Sequence, residues 1–297
     1  MIDEVFSKVE LHLRSNYTLV TEELVGIDCH MQEVTRLLNL DSADLKVVGI
    51  HGIGGMGKTT IAKAVYDSIC TGFNRCCFFE NVREMLSKTD GTIALQSKFI
   101  SSILRDDVQV KDASEGVNII RERVCKYKVL VVLDDVDDRF DFGQILGKLG
   151  HFSSESRFII TTRNTRVLEL LQEYKLYEPK EMSQDHSLQL FSMHAFRMHR
   201  PPKDYATLCG EFIEAAAKLP LALKVLGSLL FLRDRQFWEE KLMDLKEIPA
   251  TSNKVQQRLK ISYNELTHTE KQIFLDIACF FVGEDKESPV HMWSDCN

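Results

Sequence analysis

The chain has 297 residues, 44% hydrophobic and 27% charged, enough apolar material for two or three units with cores of their own. Its 44 acidic and 37 basic residues give a formal charge of -7, which argues against broad binding of DNA or RNA, since that needs a basic face to release counterions from phosphate. MIDEVFSKVE is too charged for a signal peptide, and the longest apolar run, 219–232, is interrupted by Lys224 and too short to cross a bilayer.

Residues 1–21 carry Val5, Val9 and Leu13 at helical spacing and predict a linker helix. Alternation of strand and helix patterns then begins. Helical periodicity covers 31–38, 60–70, 95–104, 116–125 and 166–171; apolar strand runs cover 46–50, 76–79, 128–133 and 157–161, with a weak strand at Leu176 and Tyr177. Units of this kind predict an α/β domain over 22–180 with a parallel sheet covered on both faces. From 181 the pattern is helical throughout. Leu188, Phe191, Ala195 and Phe196 share one face, Tyr205, Leu208, Phe212 and Ile213 another, and Pro220 fits the start of a helix entered through Leu219, so 181–250 predicts a helical subdomain. Thr267 and Glu270 form a capping box ahead of Ile273, Phe274, Ile277 and Phe281, opening a last unit over 251–297 that is expected to be incomplete. The eight cysteines form no C-x-x-C pair and read as reduced, mostly buried thiols of a cytoplasmic protein.

The strand-to-helix junction GIGGMGKT, Gly52 to Thr59, has the spacing G-x-x-x-x-G-K-[ST]. Without Cβ atoms, Gly52, Gly54, Gly55 and Gly57 let the backbone amides of the loop, Met56 included, converge on phosphate oxygens beside a helix N-terminus. Lys58 is expected to reach the β and γ phosphates. Thr59 puts a hydroxyl where Mg²⁺, a hard cation that takes oxygen ligands, is held. A second run, KVLVVLDDVDD, ends a buried strand in carboxylates at the same edge of the sheet. Asp134 is expected to serve Mg²⁺, directly or through water, and Asp135 to orient or deprotonate an attacking water. Asp137 and Asp138 are expected to cap the next helix or face solvent. A third strand, SRFIITTR, delivers Arg163, which can report whether a γ-phosphate is present.

These runs, with ELVGID, FFENVRE, LFSMHAFR, KLPLALKVLGSLL and LKISYNELTHTEKQIFLDIACFFVGED in the same order, resemble the NB-ARC nucleotide switches of plant intracellular immune receptors, within the STAND class of P-loop ATPases. FFENVRE and Asp137 resemble the branch that carries an N-terminal TIR domain. The resemblance implies a P-loop NTPase domain, a helical ARC1 subdomain and an incomplete winged-helix ARC2 subdomain, with ADP or ATP and Mg²⁺ as cofactors. It places Val25 and Ile27 by the adenine and Gly54 to Thr60, Thr60 included, around the phosphates. It gives Asp134 to Mg²⁺, Asp135 to the acidic catalytic position, Arg163 to the γ-phosphate and Pro220 to the base or sugar. Val25, Ile27 and Pro220 read equally well as packing residues. The implied output is conformational, through nucleotide-dependent self-association, with hydrolysis as a reset. The implied partners are TIR and leucine-rich-repeat regions of a parent receptor in the cytoplasm or nucleus, with no nucleic acid and no membrane.

Three departures stand out. Lys218 replaces the glycine usual before Leu-Pro-Leu. The Met-His-Asp motif is missing, which predicts weaker retention of ADP, and His291 does not replace it. Neither a TIR domain nor leucine-rich repeats are present, as expected of a fragment or of a short natural product. Two other functions stay open: a P-loop ATPase or small-molecule kinase whose turnover is the output, and a DNA-binding regulator built on the winged helix.

Overall fold

The run VLVVLDDV has no polar residue until its carboxylates, and it forms an interior strand of a sheet. The computed structural model describes residues 24–171, 173–246 and 263–280. Five parallel strands, β1 (Lys46–His51), β2 (Arg75–Phe79), β3 (Val129–Val136), β4 (Arg157–Thr162) and β5 (Lys175–Tyr177), lie in the order β2-β3-β4-β1-β5. Side chains alternate across β3. Val129, Val131 and Leu133 join Phe79, Phe99, Ile100 and Phe158 in one core, while Leu130 and Val132 join Val34, Val48, Ile50, Ile61 and Val65 in the other. The helices α1 (Asp28–Leu38) and α2 (Lys58–Ile69) supply the second core. α4 (Gly91–Leu104) supplies the first, with short helices α3 (Val82–Ser87), α5 (Ala113–Ile119), α6 (Phe142–Ile145) and α7 (Arg166–Glu169) completing the set among the described residues of this unit. Covered faces on a parallel sheet are what the alternating pattern predicts.

The chain leaves β1 through α2 for the far edge at β2, works back through β3 and β4, and places β5 on the other side of β1. The step out of β1 therefore runs opposite to every later step, and β1 lies between β4 and β5. In sheets of this kind ligands bind beyond the carboxyl ends of the strands at the reversal, where two connections run apart and leave a crevice. The fold is that of a P-loop NTPase.

Two details depart from expectation. β3 continues three residues past Leu133, across a bulge between Leu133 and Val136, so the carboxylates belong to the strand itself. The helical pattern over 116–125 divides, α5 stopping at Ile119 and the backbone widening into a π turn over Ile120–Val124. A buried cation also sits where a strand begins. Arg157, fully excluded from solvent, donates from Nε to the carbonyl of Leu38 at 2.8 Å and from Nη2 to those of Asn39 at 2.8 Å and Ser42 at 2.7 Å, fastening the end of α1 to β4.

A second unit runs from Gln184. It contains α8 (Gln184–Phe196), α9 (Ala206–Ala215), α10 (Pro220–Leu230), α11 (Arg235–Lys246) and α12 (His268–Phe280). Its core is aromatic. Trp238 lies 4.9–5.9 Å, centroid to centroid, from the rings of Phe191, Phe196, Tyr205 and Phe212, and its indole N–H donates to the Leu230 carbonyl at 3.1 Å. Pro220 opens α10, where its missing N–H costs nothing. The turn before it holds Ala217 and Lys218 at φ of 49° and 52°, the left-handed region, so Lys218 occupies a position whose backbone favours glycine. Thr267 and Glu270 close the capping box reciprocally: the Thr267 amide donates to the Glu270 carboxylate at 2.7 Å and the Glu270 amide to the Thr267 hydroxyl at 3.3 Å. The expected linker helix at 1–21, His291 and most of 251–297 lie outside the described residues.

Candidate nucleotide site

The loop that leaves β1 starts beside β4, where the Gly52 amide donates to the Thr162 carbonyl at 3.3 Å. Gly55 and Gly57 take φ of 82° and 87°, conformations a residue with a Cβ adopts only under strain, and Gly57 is the N-cap of α2. The amides in the first turn of a helix have no intrahelical acceptor, and here they open toward the loop, with no acidic side chain in that turn to neutralise the helix dipole. Lys58 folds back over this loop. It is 7% exposed, and its ammonium donates to the carbonyls of Gly52 at 2.8 Å and Ile53 at 2.9 Å. Burial, and then the charge of Arg163, lower its pKa, against the pull of Asp135 and Asp134. A desolvated ammonium whose hydrogen bonds go to neutral carbonyls is poised to gain from an anion.

The carboxylate of Asp134 is 3% exposed. Its Oδ1 accepts from the Thr59 hydroxyl at 2.8 Å and from the Thr161 hydroxyl at 2.6 Å, and Thr161 in turn accepts from the Asp135 amide at 2.8 Å. Burial raises the Asp134 pKa; the two hydroxyl bonds oppose that, and the charges of Asp135 and Glu80 add to it. Thr59 and Asp134, far apart in sequence, thus meet as two oxygen ligands beside the phosphate loop, the donor set a hard cation prefers. Among the described residues no group of three or more His, Cys, Asp or Glu side chains is placed to hold a metal alone. The donor set of the pair would suit Mg²⁺.

Asp135 sits on the bulge of β3 with φ of 52°. That rare backbone turns its carboxylate toward two guanidiniums: Oδ2 faces Arg83 Nη2 at 2.9 Å and Oδ1 faces Arg163 Nε at 3.2 Å. The Arg163 guanidinium also overlies the loop, since a Cβ built on Gly54 would lie 3.5 Å from its Nη1. One cation therefore touches the loop and the acidic residue together. Beside them Lys63 pairs with Glu80 at 2.7 Å.

The other residues expected at the site lie as follows. Met56 is half-buried in the loop, and Thr60 is exposed on the first turn of α2. Val25 and Ile27 precede α1, Ile27 packing on the core shared with α2. Pro220 is half-buried at the head of α10 in the second unit. Asp137 is engaged by Arg139 at 2.6 Å, Asp138 is exposed, and the capping role falls instead to Asp141, which accepts from the Gln144 amide at 3.0 Å. Sequence reasoning missed three contributors: Thr161, Arg83 and Glu80. For Arg83 and Glu80 the pairing of Phe79 with Leu133, which the sequence pattern does not give, brings the end of β2, and so FFENVRE, level with the carboxylates of β3.

None of the six described cysteines takes part in a disulfide. Cys77, Cys125 and Cys209 are buried, Cys70 and Cys76 half-buried and Cys29 exposed, so burial is less general than the sequence suggested. Burial pushes the thiol of Cys125 up to about 11 and that of Cys209 up to about 12. Among the described residues no helix is long and apolar enough to cross a membrane.

Comparison with known proteins places the chain in a family. The model of the NB-ARC domain matches residues 27–200, more than half of the chain. Similar curated proteins include the disease resistance protein RUN1 of Vitis rotundifolia, 37% identical over 96% of this chain and 21% of that protein. TMV resistance protein N of Nicotiana glutinosa is 33% identical over 100% of this chain and 26% of that protein. The chain thus spans about a fifth to a quarter of the length of these relatives. Among solved structures, a STAND protein with a tetratricopeptide repeat sensor from Pyrococcus horikoshii aligns with 89% of this chain and 36% of that one, at 15% identity and a TM-score of 0.49. AMPPCP-bound DnaA from Aquifex aeolicus aligns with 94% of this chain and 90% of that one, at 14% identity and 0.46. Matched by the NB-ARC model over more than half of its length, and similar to RUN1 and protein N along nearly all of it, the chain belongs to the NB-ARC family found in plant disease resistance proteins.

Proposed function

We propose that this chain is the ADP/ATP switch of a plant immune receptor, in which the identity of the bound nucleotide sets conformation. The observation that carries the reading is the Thr59–Asp134 contact at 2.8 Å directly below the phosphate loop, a prepared place for the cation that accompanies a di- or triphosphate. Gly52, Gly54, Gly55, Met56, Gly57 and Thr60 surround the phosphates with backbone amides, and Lys58 exchanges its two carbonyl partners for phosphate oxygens. When bound, Mg²⁺ supplies charge neutralisation between phosphate oxygens, held by Thr59 and Asp134. Asp135 orients water, and Arg163 leaves it for a γ-phosphate when one is present. Val25 and Ile27 contact the adenine, and Pro220 closes from the ARC1 unit.

In this reading 22–180, 181–250 and 251–297 act as nucleotide-binding, ARC1 and ARC2 parts of a longer receptor in the cytoplasm or nucleus. TIR and leucine-rich-repeat regions are its partners, and ATP promotes self-association. A switch works through population shift, so hydrolysis is a slow reset. Steady-state ATP hydrolysis by the purified chain tests this. The account expects turnover far below the roughly 1 s⁻¹ floor of typical enzymes, and many turnovers per second would assign the chain to the ATPase class instead.

A further inference from the structure

Arg83 contacts Asp135, and the geometry bears on what that contact does for the site. It lies in α3, just past β2, and its guanidinium meets the Asp135 Oδ2 at 2.9 Å while Arg163 meets Oδ1 at 3.2 Å. Each oxygen of one carboxylate therefore has a cation of its own. Asp135 is 16% exposed at its side chain, against 43% for Arg83 and 53% for Arg163, so the anion is the least hydrated member of the three. Stripping a partly buried carboxylate of its last counter-cation is costly, whereas removing one of two is much less so.

Arg163 is also the guanidinium that overlies Gly54 in the loop. To face a third phosphate it must give up Asp135, and the ease of that step depends on what remains on the carboxylate. We propose that Arg83 is a positioning residue for nucleotide discrimination, the standing counter-cation of Asp135 that frees Arg163 to engage a γ-phosphate. Arg83 also sits within electrostatic reach of Asp137, but that carboxylate is already engaged by Arg139 at 2.6 Å, which leaves Asp135 as the partner Arg83 serves. Without Arg83, Asp135 holds Arg163 as its only guanidinium, and the preference for a third phosphate falls.

This inference rests on the nucleotide reading of the site, and the test separates the two. Affinities of the full chain for ADP and for the non-hydrolysable analogue AMPPCP, both with Mg²⁺, are measured by calorimetry for wild type, Arg83→Gln, Arg83→Lys, Arg163→Gln and the Arg83→Gln/Arg163→Gln pair. Arg83→Gln is expected to weaken AMPPCP relative to ADP by roughly 3- to 10-fold, the scale of one partly exposed ion pair. Arg83→Lys should restore most of that ratio. In the Arg163→Gln background the further change at Arg83 should alter the ratio by less than about twofold, because the effect passes through Arg163. An unchanged ratio in Arg83→Gln overturns the inference while ADP binding stands. An effect that persists in the Arg163→Gln background overturns it too, showing simple attraction of the extra phosphate. Wild type that binds neither nucleotide while folded sinks the site assignment itself, and this inference with it. Arg83 is partly exposed, so folding should survive; should Arg83→Gln fail to fold, wild-type discrimination by Arg83→Met overturns the inference in its place.

Discussion

Replacing Asp134 by Asn should move stability and ligand affinity in opposite directions. The carboxylate is 3% exposed, and burial raises its pKa, with Asp135 and Glu80 adding repulsion. A carboxyl whose pKa is higher folded than unfolded contributes stability that is fully present below its unfolded pKa and lost as pH rises through the folded value. At neutral pH the charge is therefore a burden on the nucleotide-free fold. Asn keeps an acceptor oxygen for the hydroxyls of Thr59 and Thr161, whose bonds at 2.8 and 2.6 Å both end on Oδ1, and it removes the buried charge. The variant should be more stable by about 0.5–2 kcal/mol, the usual gain when a strained functional group is relieved. The apparent Tm should rise by a few degrees. The advantage should disappear on acidification, where wild type is protonated as well. The Mg²⁺-dependent part of ATP affinity should fall by at least the roughly 10- to 100-fold that follows loss of a supporting metal partner. Urea titration of the nucleotide-free chain at pH 7 and pH 4, with calorimetry plus and minus Mg²⁺, checks both halves. A variant less stable than wild type by more than about 1 kcal/mol, or one with full Mg²⁺ dependence, would refute the reasoning and make Asp134 a structural residue.

Three further outcomes follow from particular contacts. Arg157→Met strips the buried carbonyls of Leu38, Asn39 and Ser42 of their donor, so urea unfolding should show a loss of about 3–5 kcal/mol; a loss under about 1 kcal/mol would mean water replaces the guanidinium freely. Because burial lowers the Lys58 pKa and a bound phosphate favours the ammonium, ADP affinity should decline as pH rises toward the ordinary lysine range. A flat profile there would place the ammonium away from the ligand. Lys218→Gly relieves a left-handed backbone at φ of 52° and should raise the stability of the second unit by about 0.5–1 kcal/mol in thermal melts, after the entropy lost to a freer unfolded chain. A destabilised variant would mean that the Lys218–Glu214 pair at 3.4 Å outweighs the strain.

The parts of the site that follow the chain were readable from it. GIGGMGKT carries its own turn chemistry, and each apolar strand run ends near the residues that face the crevice, so Lys58, Thr59, Asp134 and Arg163 could be named from spacing. What spacing could not supply was register. Thr161 reaches Asp134 because β4 pairs with β3, and Arg83 reaches Asp135 because β2 is the outer neighbour of β3, a fact of strand order that periodicity does not encode. The bulge that sets Asp135 at φ of 52° was equally hidden, since a carboxylate pair after an apolar run looks the same whether it ends a strand or bends one. Lys218 shows the reverse case. Its departure from the usual glycine was visible in the sequence, and the structure gives that departure a backbone cost.

The most direct measurement is ADP affinity by calorimetry for the wild-type chain and for Lys58→Met, with folding verified by circular dichroism. The account predicts one ADP bound per chain and at least about tenfold weaker binding in Lys58→Met, the worth of one charge-assisted hydrogen bond. A well-folded wild type that takes up no ADP, or a variant that binds it as tightly, would contradict the claim that this loop holds a nucleotide.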